Sequence, residues 1–463
     1  MSRQILIDVD PFLTRIAVME RDRLADIAFL DPNAPTLVGR IFLARITAVR
    51  KDIDACFVDL GLSGQQGFLQ LKDIPSEFRE TLFEGMKLPV QVLKDGTGEK
   101  GVQVSAFLQF EGRYGVFKPF GSGIVFAKSI KDAAVRAEIS SCLSGLGAGT
   151  SAGGVVVRSA AASVPIDTLS GEMQALISRW QSLQQTIAQD KAVRDLTDLS
   201  PLSMMVSGLV TEHDTILVND ADALHALKAE LGHSGIRAEQ IGLAPVAEDL
   251  FEQFGAEEEC DLLDRKRVAL PSGGDITLEE TEAMVVADVN SGGLVAAKGG
   301  RSVALQTNLD AAEVLLRQLR LRHLSGIVIV DFIRMEARGE TDILTRRLRE
   351  LAARDPASLR VVGMTELGLM QLVRRRTSRP VSQVLAMPLN TGVGHFPLGE
   401  ASRLARAVRA FSRQAKKPVI AVAGGGAVRR FLENYGPRLE KALGVRLEYQ
   451  LDDTLGERDY TLS

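Results

Sequence analysis

Two short apolar segments in the middle of the sequence each have an aspartate at or next to their carboxyl end. Met284–Val289 contains Asp288, Ile327–Val330 is followed by Asp331, and both have the length and β-branched content of buried strands. If the strands are parallel neighbours, the two carboxylates lie about 5 Å apart at one edge of a sheet. Carboxylates at that distance repel each other unless a cation holds them. Such oxygen ligands, with the neutral amide of Asn290 beside them, favour Mg²⁺ or Mn²⁺.

The sequence between these segments predicts a helix. Asn308 is the expected N-cap, and Gly326 follows the helix end. The predicted apolar face comprises Leu309, Ala312, Leu316 and Leu319, and the residues expected largely outside it are Arg317, Arg320 and Arg322. A strand, a helix and a strand of this size form a right-handed crossover between parallel strands. Open sheets of this kind bind ligands at the carboxyl ends of the strands.

A purely structural explanation of the two aspartates competes with the metal site. Aspartates at strand ends also cap loops, and spacing alone does not separate the two interpretations. The run VADVNS (286–291) favours a site, because its polar residues cluster where the strand should still be apolar.

Two segments resemble the catalytic core of the ribonuclease E/G family, which are bacterial endoribonucleases specific for single-stranded RNA. They read PSGGDITLEETEAMVVADVNS (271–291) and QTNLDAAEVLLRQLRLRHLSGIVIVDFIRM (306–335). The resemblance implies that Asp288 and Asp331 bind Mg²⁺, for which Mn²⁺ can substitute, and that Asn290 positions the attacking water and the phosphate. It implies cleavage to 5′-phosphate and 3′-hydroxyl ends, in the processing and decay of RNA.

The resemblance extends along most of the chain and implies an α/β protein of several subdomains. The expected parts are a ribonuclease-H-like structural subdomain (1–36 and 201–266), an inserted OB-fold RNA-binding barrel (37–106), a 5′-sensor region (107–200), a DNase-I-like catalytic subdomain (267–385) and a small C-terminal α/β domain (386–463). Independently of the resemblance, alternation over 1–36 predicts a β-meander, and five short strand-like segments with Gly-rich turns in 37–106 are consistent with an OB-fold.

Aromatic residues in the predicted barrel are candidates for RNA contact. Phe57 and Phe68 are placed to stack on bases, and the candidate phosphate contacts are Arg40, Arg45 and Lys100. The alternative is that the phenylalanines fill the barrel. The phrase CFVDLG…GFLQL resembles the S-one-type ribosomal RNA-binding domain, in which such aromatics line the RNA face, and this favours contact.

The segment VVVRS (155–159) places a guanidinium and a hydroxyl directly after three apolar residues. Arg158 and Ser159 together suit a phosphate, although an arginine at a strand end is usually only solvated. In the family, an Arg-Thr pair after a similar run holds the 5′-monophosphate of the substrate. The resemblance therefore implies a 5′-phosphate site at Arg158 and Ser159, with serine in place of threonine.

A second group of arginines follows the segment GMTELGLMQLV. We predict a helix there, with the apolar face Leu367, Met370 and Leu372, that closes on Arg374, Arg375 and Arg376. Such a run suits a solvated C-terminal turn. It equally suits RNA phosphates, and the resemblance implies RNA contact by Arg374 and Arg376.

Two departures from the family pattern bear on function. The loop 291–302 reads SGGLVAAKGGRS, in which only Lys298 and Arg301 can supply phosphate contacts. The Cys-x-x-Cys pair that shares zinc between family protomers is missing after Arg376, so we expect no zinc and a homodimer formed without it. These departures leave open an alternative function, a catalytically weak or inactive RNA-binding protein of the same fold.

The composition indicates a soluble globular protein, with 45% hydrophobic and 25% charged residues. The net charge of −4 provides no global basic field, so RNA must be bound by local patches. Cys56, Cys142 and Cys260 are far apart, which favours reduced thiols in the cytoplasm. We expect no signal peptide, no membrane span and no degradosome scaffold tail, as in the short ribonuclease-G-like type.

Overall fold

A computed structural model describes residues 3–62, 66–96, 101–147, 153–189, 192–211, 213–232, 236–245, 249–292, 302–337, 339–389, 396–415, 417 and 419–463. The chain has a mixed α/β structure and divides into two compact units. The first unit comprises Met1–Asn33, Ile216–Asp220 and Leu243–Ser463, and the second comprises Ala34–Thr215 and Ala221–Gly242. Within the described ranges, no helix combines the length and apolar character needed to cross a membrane.

Strands and helices are numbered in chain order. The strands are β1 (Gln4–Asp8), β2 (Thr14–Glu20), β3 (Arg23–Leu30), β4 (Ile41–Arg50), β5 (Ala55–Asp59), β6 (Gln66–Gln70), β7 (Lys87–Lys94), β8 (Val102–Ser105), β9 (Phe110–Glu111), β10 (Gly115–Lys118), β11 (Ile124–Phe126), β12 (Gly154–Val157), β13 (Arg194–Asp195), β14 (Thr215–Val218), β15 (Ile241–Leu243), β16 (Arg267–Ala269), β17 (Asp275–Glu280), β18 (Met284–Asn290), β19 (Gly326–Asp331), β20 (Leu359–Met364), β21 (Leu369–Arg374), β22 (Val419–Gly424), β23 (Arg446–Leu451) and β24 (Tyr460–Leu462). The α-helices are α1 (Ser76–Arg79), α2 (Ala133–Gly145), α3 (Ile166–Gln189), α4 (Pro201–Leu209), α5 (Ala221–Leu231), α6 (Leu250–Gln253), α7 (Ala256–Asp261), α8 (Val303–Leu321), α9 (Glu340–Ala352), α10 (Val381–Ala386), α11 (Leu398–Ala415) and α12 (Gly426–Leu443).

The first unit begins with the predicted antiparallel meander β1-β2-β3. Strands β1 and β2 are buried almost throughout, and an ionic network lies at the end of β1. Asp8 is fully buried and accepts from Arg15 at 2.7 Å and from Arg409 of α11 at 2.6 Å. Asn219 Nδ2 also donates to Asp8 Oδ1, at 2.6 Å. The charged residues of this segment therefore tie the N-terminal strands to helix α11, because a buried carboxylate needs partners.

Asp10, two residues after Asp8, is a buried carboxylate with hydrogen bonds to only one of its two oxygens within the described part of the chain. Its Oδ1 accepts the backbone N–H groups of Phe12 at 2.8 Å and Leu13 at 3.2 Å, while Oδ2 has no hydrogen-bond partner among the described residues. Burial and the neighbouring Asp8 charge together raise the pKa of Asp10 to about 6, against the opposing effects of the two backbone hydrogen bonds and of Arg406. At neutral pH the side chain is therefore ionised at a cost to stability.

We expect this cost to appear as a pH dependence of stability. Between its ordinary pKa of 3.8 and about 6, Asp10 is ionised in the unfolded chain and protonated in the folded one. The free energy of unfolding should therefore fall as pH rises through this window, by up to about 3 kcal/mol. Asp10→Asn cannot ionise and should lack that slope; denaturant titrations at pH 4, 5, 6 and 7 measure it. Asp453→Asn, at an exposed position, is the matched control, and equal slopes for wild type and Asp10→Asn would contradict the assignment.

The second unit contains a closed barrel, as the five predicted strands indicate. The pairings run β4-β5-β6-β8-β7, and β7 returns to β4, so the sheet has no free edge there. The barrel is filled by alternate residues of its strands, among them Phe42, Val58 and Val90, each fully buried.

A four-stranded sheet, ordered β11-β12-β10-β9, follows the barrel in the second unit. Helix α3 packs on it through Met173, Leu176 and Ile177. Glu172 on the same helix is buried and accepts the backbone N–H groups of Arg113, Tyr114 and Gly115 at 2.7, 2.8 and 3.2 Å. The helix therefore holds the turn between β9 and β10 by hydrogen bonds as well as by packing.

The central sheet of the first unit has the order β16-β17-β18-β19-β21-β20. Strands β18 and β19 are parallel neighbours joined through α8, which confirms the predicted crossover. Helices α8 and α9 pack against one face of the sheet. The prediction of buried strands holds for one face of β18: Val285, Ala287 and Val289 are buried, while Met284 and Val286 are exposed on the other face.

Helix α8 begins earlier than predicted. Ser302 is its N-cap and accepts from the backbone N–H of Leu305 at 3.0 Å. Asn308 instead lies fully buried inside the helix; its Nδ2 donates to the carbonyl oxygen of Ile333 at 2.7 Å, and its Oδ1 accepts the Ile333 N–H at 2.9 Å. The predicted apolar face is buried. Arg322 was placed wrongly outside it, because its guanidinium is buried and donates to Leu262 and Gln318.

The predicted helix before the arginines is a strand. Leu369–Arg374 forms β21, which pairs with β19 and β20. Met370, Leu372 and Arg374 are buried in strict alternation, so the period is two rather than 3.6. Gly368 has φ +85°, a conformation that supplies the turn from β20 into β21.

The C-terminal elements are helix α11, strand β22, helix α12 and strands β23 and β24, consistent with the expected α/β domain. Strand β22 pairs in parallel with β23 and antiparallel with β24, a short strand that was not predicted. Helices α11 and α12 pack on this sheet around Val408, Phe431 and Leu432. Helix α12 is continuous through Pro437.

Candidate active site and RNA-contacting residues

Asp288 and Asp331 face each other across neighbouring parallel strands. They are register partners at the carboxyl ends of β18 and β19, and both are exposed on the face that α8 and α9 leave open. Strand spacing places their backbones about 5 Å apart. Of the described residues, none forms an ion pair with either carboxylate. Two exposed carboxylates without a cationic partner fit a hard divalent cation.

Asn290 contacts one carboxylate on its own strand, β18, and one on the neighbouring strand, β17. Its Nδ2 donates to Asp288 Oδ2 at 3.1 Å and lies 3.5 Å from Asp275 Oδ1. Because both amide hydrogens are directed towards carboxylates, the Oδ1 atom of Asn290 is the group left to accept a hydrogen bond from a ligand.

Asp275 and Arg267 belong to the same cluster and were not predicted. Asp275 is the register partner of Asn290 on β17, and Arg267 Nε donates to Asp275 Oδ1 at 2.8 Å. The signal was present in the sequence as SGGD: Gly274 has φ +82°, and a Cβ there would collide with the carbonyl oxygen of Asn290. Only glycine allows the β16–β17 turn to approach the end of β18 this closely.

The loop that departs from the family pattern lies outside the described residues from 293 to 301. Lys298 and Arg301, the only candidate phosphate contacts in that loop, therefore stay predictions.

Phe57 and Phe68 lie side by side on the outside of the barrel. They are register partners on β5 and β6, with ring centroids 6.0 Å apart in an edge-to-face arrangement, and both are half-buried. Neither belongs to the packed interior of the barrel. The alternative that they fill the barrel is therefore wrong, whereas their contact with RNA stays a prediction.

The candidate phosphate contacts near the barrel are partly engaged. Arg40 forms an ion pair with Asp195, and Arg45 pairs with Asp59 at 2.9 Å. Arg45 is half exposed and can exchange this partner, since surface pairs are weak. Lys100 lies outside the described residues.

Arg158 and Ser159 directly follow β12 at the surface of the second unit. The Arg158 Nη2 atom donates to Glu111 Oε2 at 2.8 Å, and the Ser159 hydroxyl lies 2.6 Å from that of Ser129. The guanidinium and the hydroxyl are thus both accessible, and each already has a protein partner. Neither Glu111 nor Ser129 was indicated by the sequence.

The three arginines after β21 differ in their environment. Arg374 is buried and pairs with buried Asp355 through two nitrogens at 2.8 and 3.2 Å, and it also donates to the carbonyl oxygen of Leu324 at 2.9 Å. Its expected RNA contact is therefore corrected to a structural role, because its guanidinium faces protein. Arg375 and Arg376 are exposed, and RNA contact by Arg376 stays a prediction.

Comparison with known proteins places these residues in a family. The family model described as the ribonuclease E/G family matches residues 109–377. Similar curated proteins include ribonuclease E of Nostoc sp. (29% identity, 82% of this chain and 57% of that protein) and ribonuclease E of Synechocystis sp. (30%, 82% and 60%). Ribonuclease G of Salmonella typhimurium is 26% identical over 83% of this chain and 82% of its own length. The match thus spans less than two thirds of the two ribonuclease E proteins.

Proposed function

Because the chain belongs to the ribonuclease E/G family, we propose that it is a metal-dependent endoribonuclease that cleaves single-stranded RNA in RNA processing and decay. The observation that supports this most directly is the pairing of Asp288 with Asp331 at the open edge of the sheet. Asn290 beside them supplies the polar group that a phosphodiester site needs.

The proposed chemistry divides between the cation and the chain. Asp288 and Asp331 would hold Mg²⁺ or Mn²⁺, and the ion would supply activation of a water molecule and stabilisation of the charge that develops on the phosphate. Asp288 also fixes the Asn290 amide, so that its carbonyl oxygen is free to orient the attacking water. Asp275 on the neighbouring strand β17 accepts from the same amide, and Arg267 donates to Asp275 in turn. In-line attack on phosphorus then leaves a 5′-phosphate and a 3′-hydroxyl.

The subdomain assignment is proposed with the boundaries expected from the sequence. It comprises ribonuclease-H-like parts (1–36 and 201–266), the OB-fold barrel (37–106), the 5′-sensor region (107–200), the DNase-I-like subdomain (267–385) and the C-terminal domain (386–463). We propose a cytoplasmic homodimer whose contacts include residues 385–463 and do not require zinc, since the sequence has no cysteine pair after Arg376.

The barrel is proposed to bind the single strand through its outward aromatic pair. Phe57→Ala and Phe68→Ala should each weaken binding of a single-stranded oligonucleotide by about tenfold, since stacking of one base on an aromatic ring contributes about 1–3 kcal/mol. Fluorescence anisotropy at fixed salt measures the loss. Phe83→Ala, at an exposed phenylalanine of the same unit, is the matched control. Unchanged affinity in both barrel variants would remove this surface from the RNA path.

A cleavage assay tests the function as a whole. A fluorescent single-stranded oligonucleotide and its duplex are incubated with the protein, with Mg²⁺ or with EDTA. Cleavage of the single strand only, and only with the metal, supports the proposal. Binding without cleavage under every metal condition would favour the alternative, an RNA-binding protein of the same fold, for which the unusual sequence of the loop 291–302 is the specific argument.

A further inference from the structure

The arginine proposed to bind the 5′-phosphate already has a carboxylate partner. Glu111, at the end of β9, accepts from Arg158 Nη2 at 2.8 Å. The side chains are 42% and 68% exposed for Arg158 and Glu111 respectively, so the pair lies in solvent and contributes little to stability. A ligand of higher charge can therefore compete for this guanidinium.

A second carboxylate lies within electrostatic range of Arg158. Burial raises the pKa of Glu172, and the hydrogen bonds from the backbone of residues 113–115 and the positive charge of Arg158 oppose that rise. Because Glu172 holds the β9–β10 turn through three backbone N–H groups, it is part of the frame of the site. Glu111 makes no such backbone contact among the described hydrogen bonds.

From this arrangement we propose that Glu111 is a specificity-determining residue that competes with the 5′-terminal phosphate of RNA for Arg158. This rests on the proposed function of Arg158 as the 5′-phosphate contact. A phosphate that approaches Arg158 must displace the Glu111 carboxylate or bind beside it, and a terminal dianion is repelled by a carboxylate a few ångströms away. A 5′-hydroxyl end carries no such charge and meets no such repulsion. Glu111 therefore reduces the advantage of a 5′-monophosphate end over a 5′-hydroxyl end.

Arg158 and Ser159 are both held in place by contacts with other residues of the protein. Glu111 on β9 and Arg158 after β12 lie on opposite sides of β10, and Arg158 is fixed by its own N–H, which donates to the carbonyl oxygen of Tyr114 at 2.8 Å. The Ser159 hydroxyl is likewise paired with Ser129 and has to reorient to donate to phosphate. The site is thus occupied by protein groups that a phosphate has to replace.

The test is the ratio of kcat/KM on paired 5′-monophosphate and 5′-hydroxyl oligonucleotides. Glu111→Gln keeps the size of the side chain and an acceptor oxygen but removes the charge, and it should raise the ratio about tenfold over wild type. The double variant Glu111→Gln with Arg158→Ala should lose this gain. Glu138→Gln, at an exposed position on α2 of the same unit, should leave the ratio at the wild-type value. The same oligonucleotide pairs are also compared by equilibrium binding in EDTA, so that the result does not depend on cleavage.

Each outcome decides one proposal. An unchanged ratio in Glu111→Gln would overturn the role of Glu111, and a lowered ratio would overturn it in favour of a carboxylate that positions the arginine. If Arg158→Ala alone leaves the binding ratio of wild type unaltered, and Glu111→Gln does so too, the phosphate site itself is elsewhere. Absence of cleavage in wild type, with the Glu111 effect retained in binding, would reject the endoribonuclease and keep the 5′-end competition.

Discussion

Asp288→Asn and Asp331→Asn should each reduce cleavage of single-stranded RNA about a thousandfold. Each change removes one ligand charge from a pair of carboxylates that meet across β18 and β19. The loss of charge stabilisation in the transition state is then about 4 kcal/mol. Single-turnover cleavage over a range of Mg²⁺ and Mn²⁺ concentrations measures the effect, and high metal concentration should restore part of the rate. Because both side chains are exposed, the variants should fold normally.

RNA binding separates a catalytic from a structural effect of these changes. Affinity measured in EDTA should stay close to that of wild type for both variants, since neither removes a cationic or aromatic contact. Asp342→Asn, at an exposed position in the first turn of α9, removes a carboxylate from the same unit and should keep full activity. Near-wild-type rates in both Asp288→Asn and Asp331→Asn would exclude these residues from the active site.

Arg374→Met should lower the free energy of unfolding by about 3–5 kcal/mol. The change leaves the Asp355 carboxylate, which is 5% exposed, without its guanidinium partner, and an unpaired buried charge is costly. It also removes the donor to the carbonyl oxygen of Leu324. Denaturant titration measures the loss. The double variant Arg374→Met with Asp355→Leu removes the unpaired carboxylate as well, and it should therefore recover part of the free energy of unfolding.

The neighbouring exposed arginine provides the matched comparison. Arg376→Met should change stability by no more than about 0.5 kcal/mol, as expected for a surface position, and should weaken RNA binding with a reduced salt dependence. The opposite pattern, a stable Arg374→Met protein with impaired RNA binding, would show that Arg374 contacts RNA.

Periodicity in the sequence predicted the parts of the fold in which local pattern and tertiary packing agree. The barrel strands and the β18–α8–β19 crossover carry both apolar alternation and turn residues, so their pairing followed. The helix prediction for the segment before Arg374 was wrong because Met, Leu and Gln are good helix formers. In addition, a short apolar run fits the helical period of 3.6 residues as well as the strand period of two. Pairing with β19 and β20 stabilises this segment as a strand. The two-residue alternation of the strand places the Arg374 side chain on the buried face.

The candidate site was only partly predictable for a related reason. Asp288 and Asp331 end apolar runs and were conspicuous, and Asn290 follows at the spacing that returns to the same face of a strand. Asp275 is the first residue of β17 and Arg267 the first residue of the short edge strand β16, and polar residues at strand ends are ordinary. Only the register of β17 on β18 brings Asp275 opposite Asn290. Glu111 is 47 positions from Arg158, and an ion pair between them has no sequence signature.

The two hydrogen bonds between Asn308 and Ile333 restrict which amino acids position 308 tolerates. The side chain must donate and accept at once, towards the backbone just beyond Asp331, from the middle of a buried helix. Aspartate lacks the donor, and leucine, although a better helix former, lacks both groups. Helix propensity and apolar patterning would each select another residue at this position. The residue at position 308 is therefore constrained by the placement of the β19 terminus. Substitutions there should affect the sheet edge that carries Asp288 and Asp331 more than the stability of the helix.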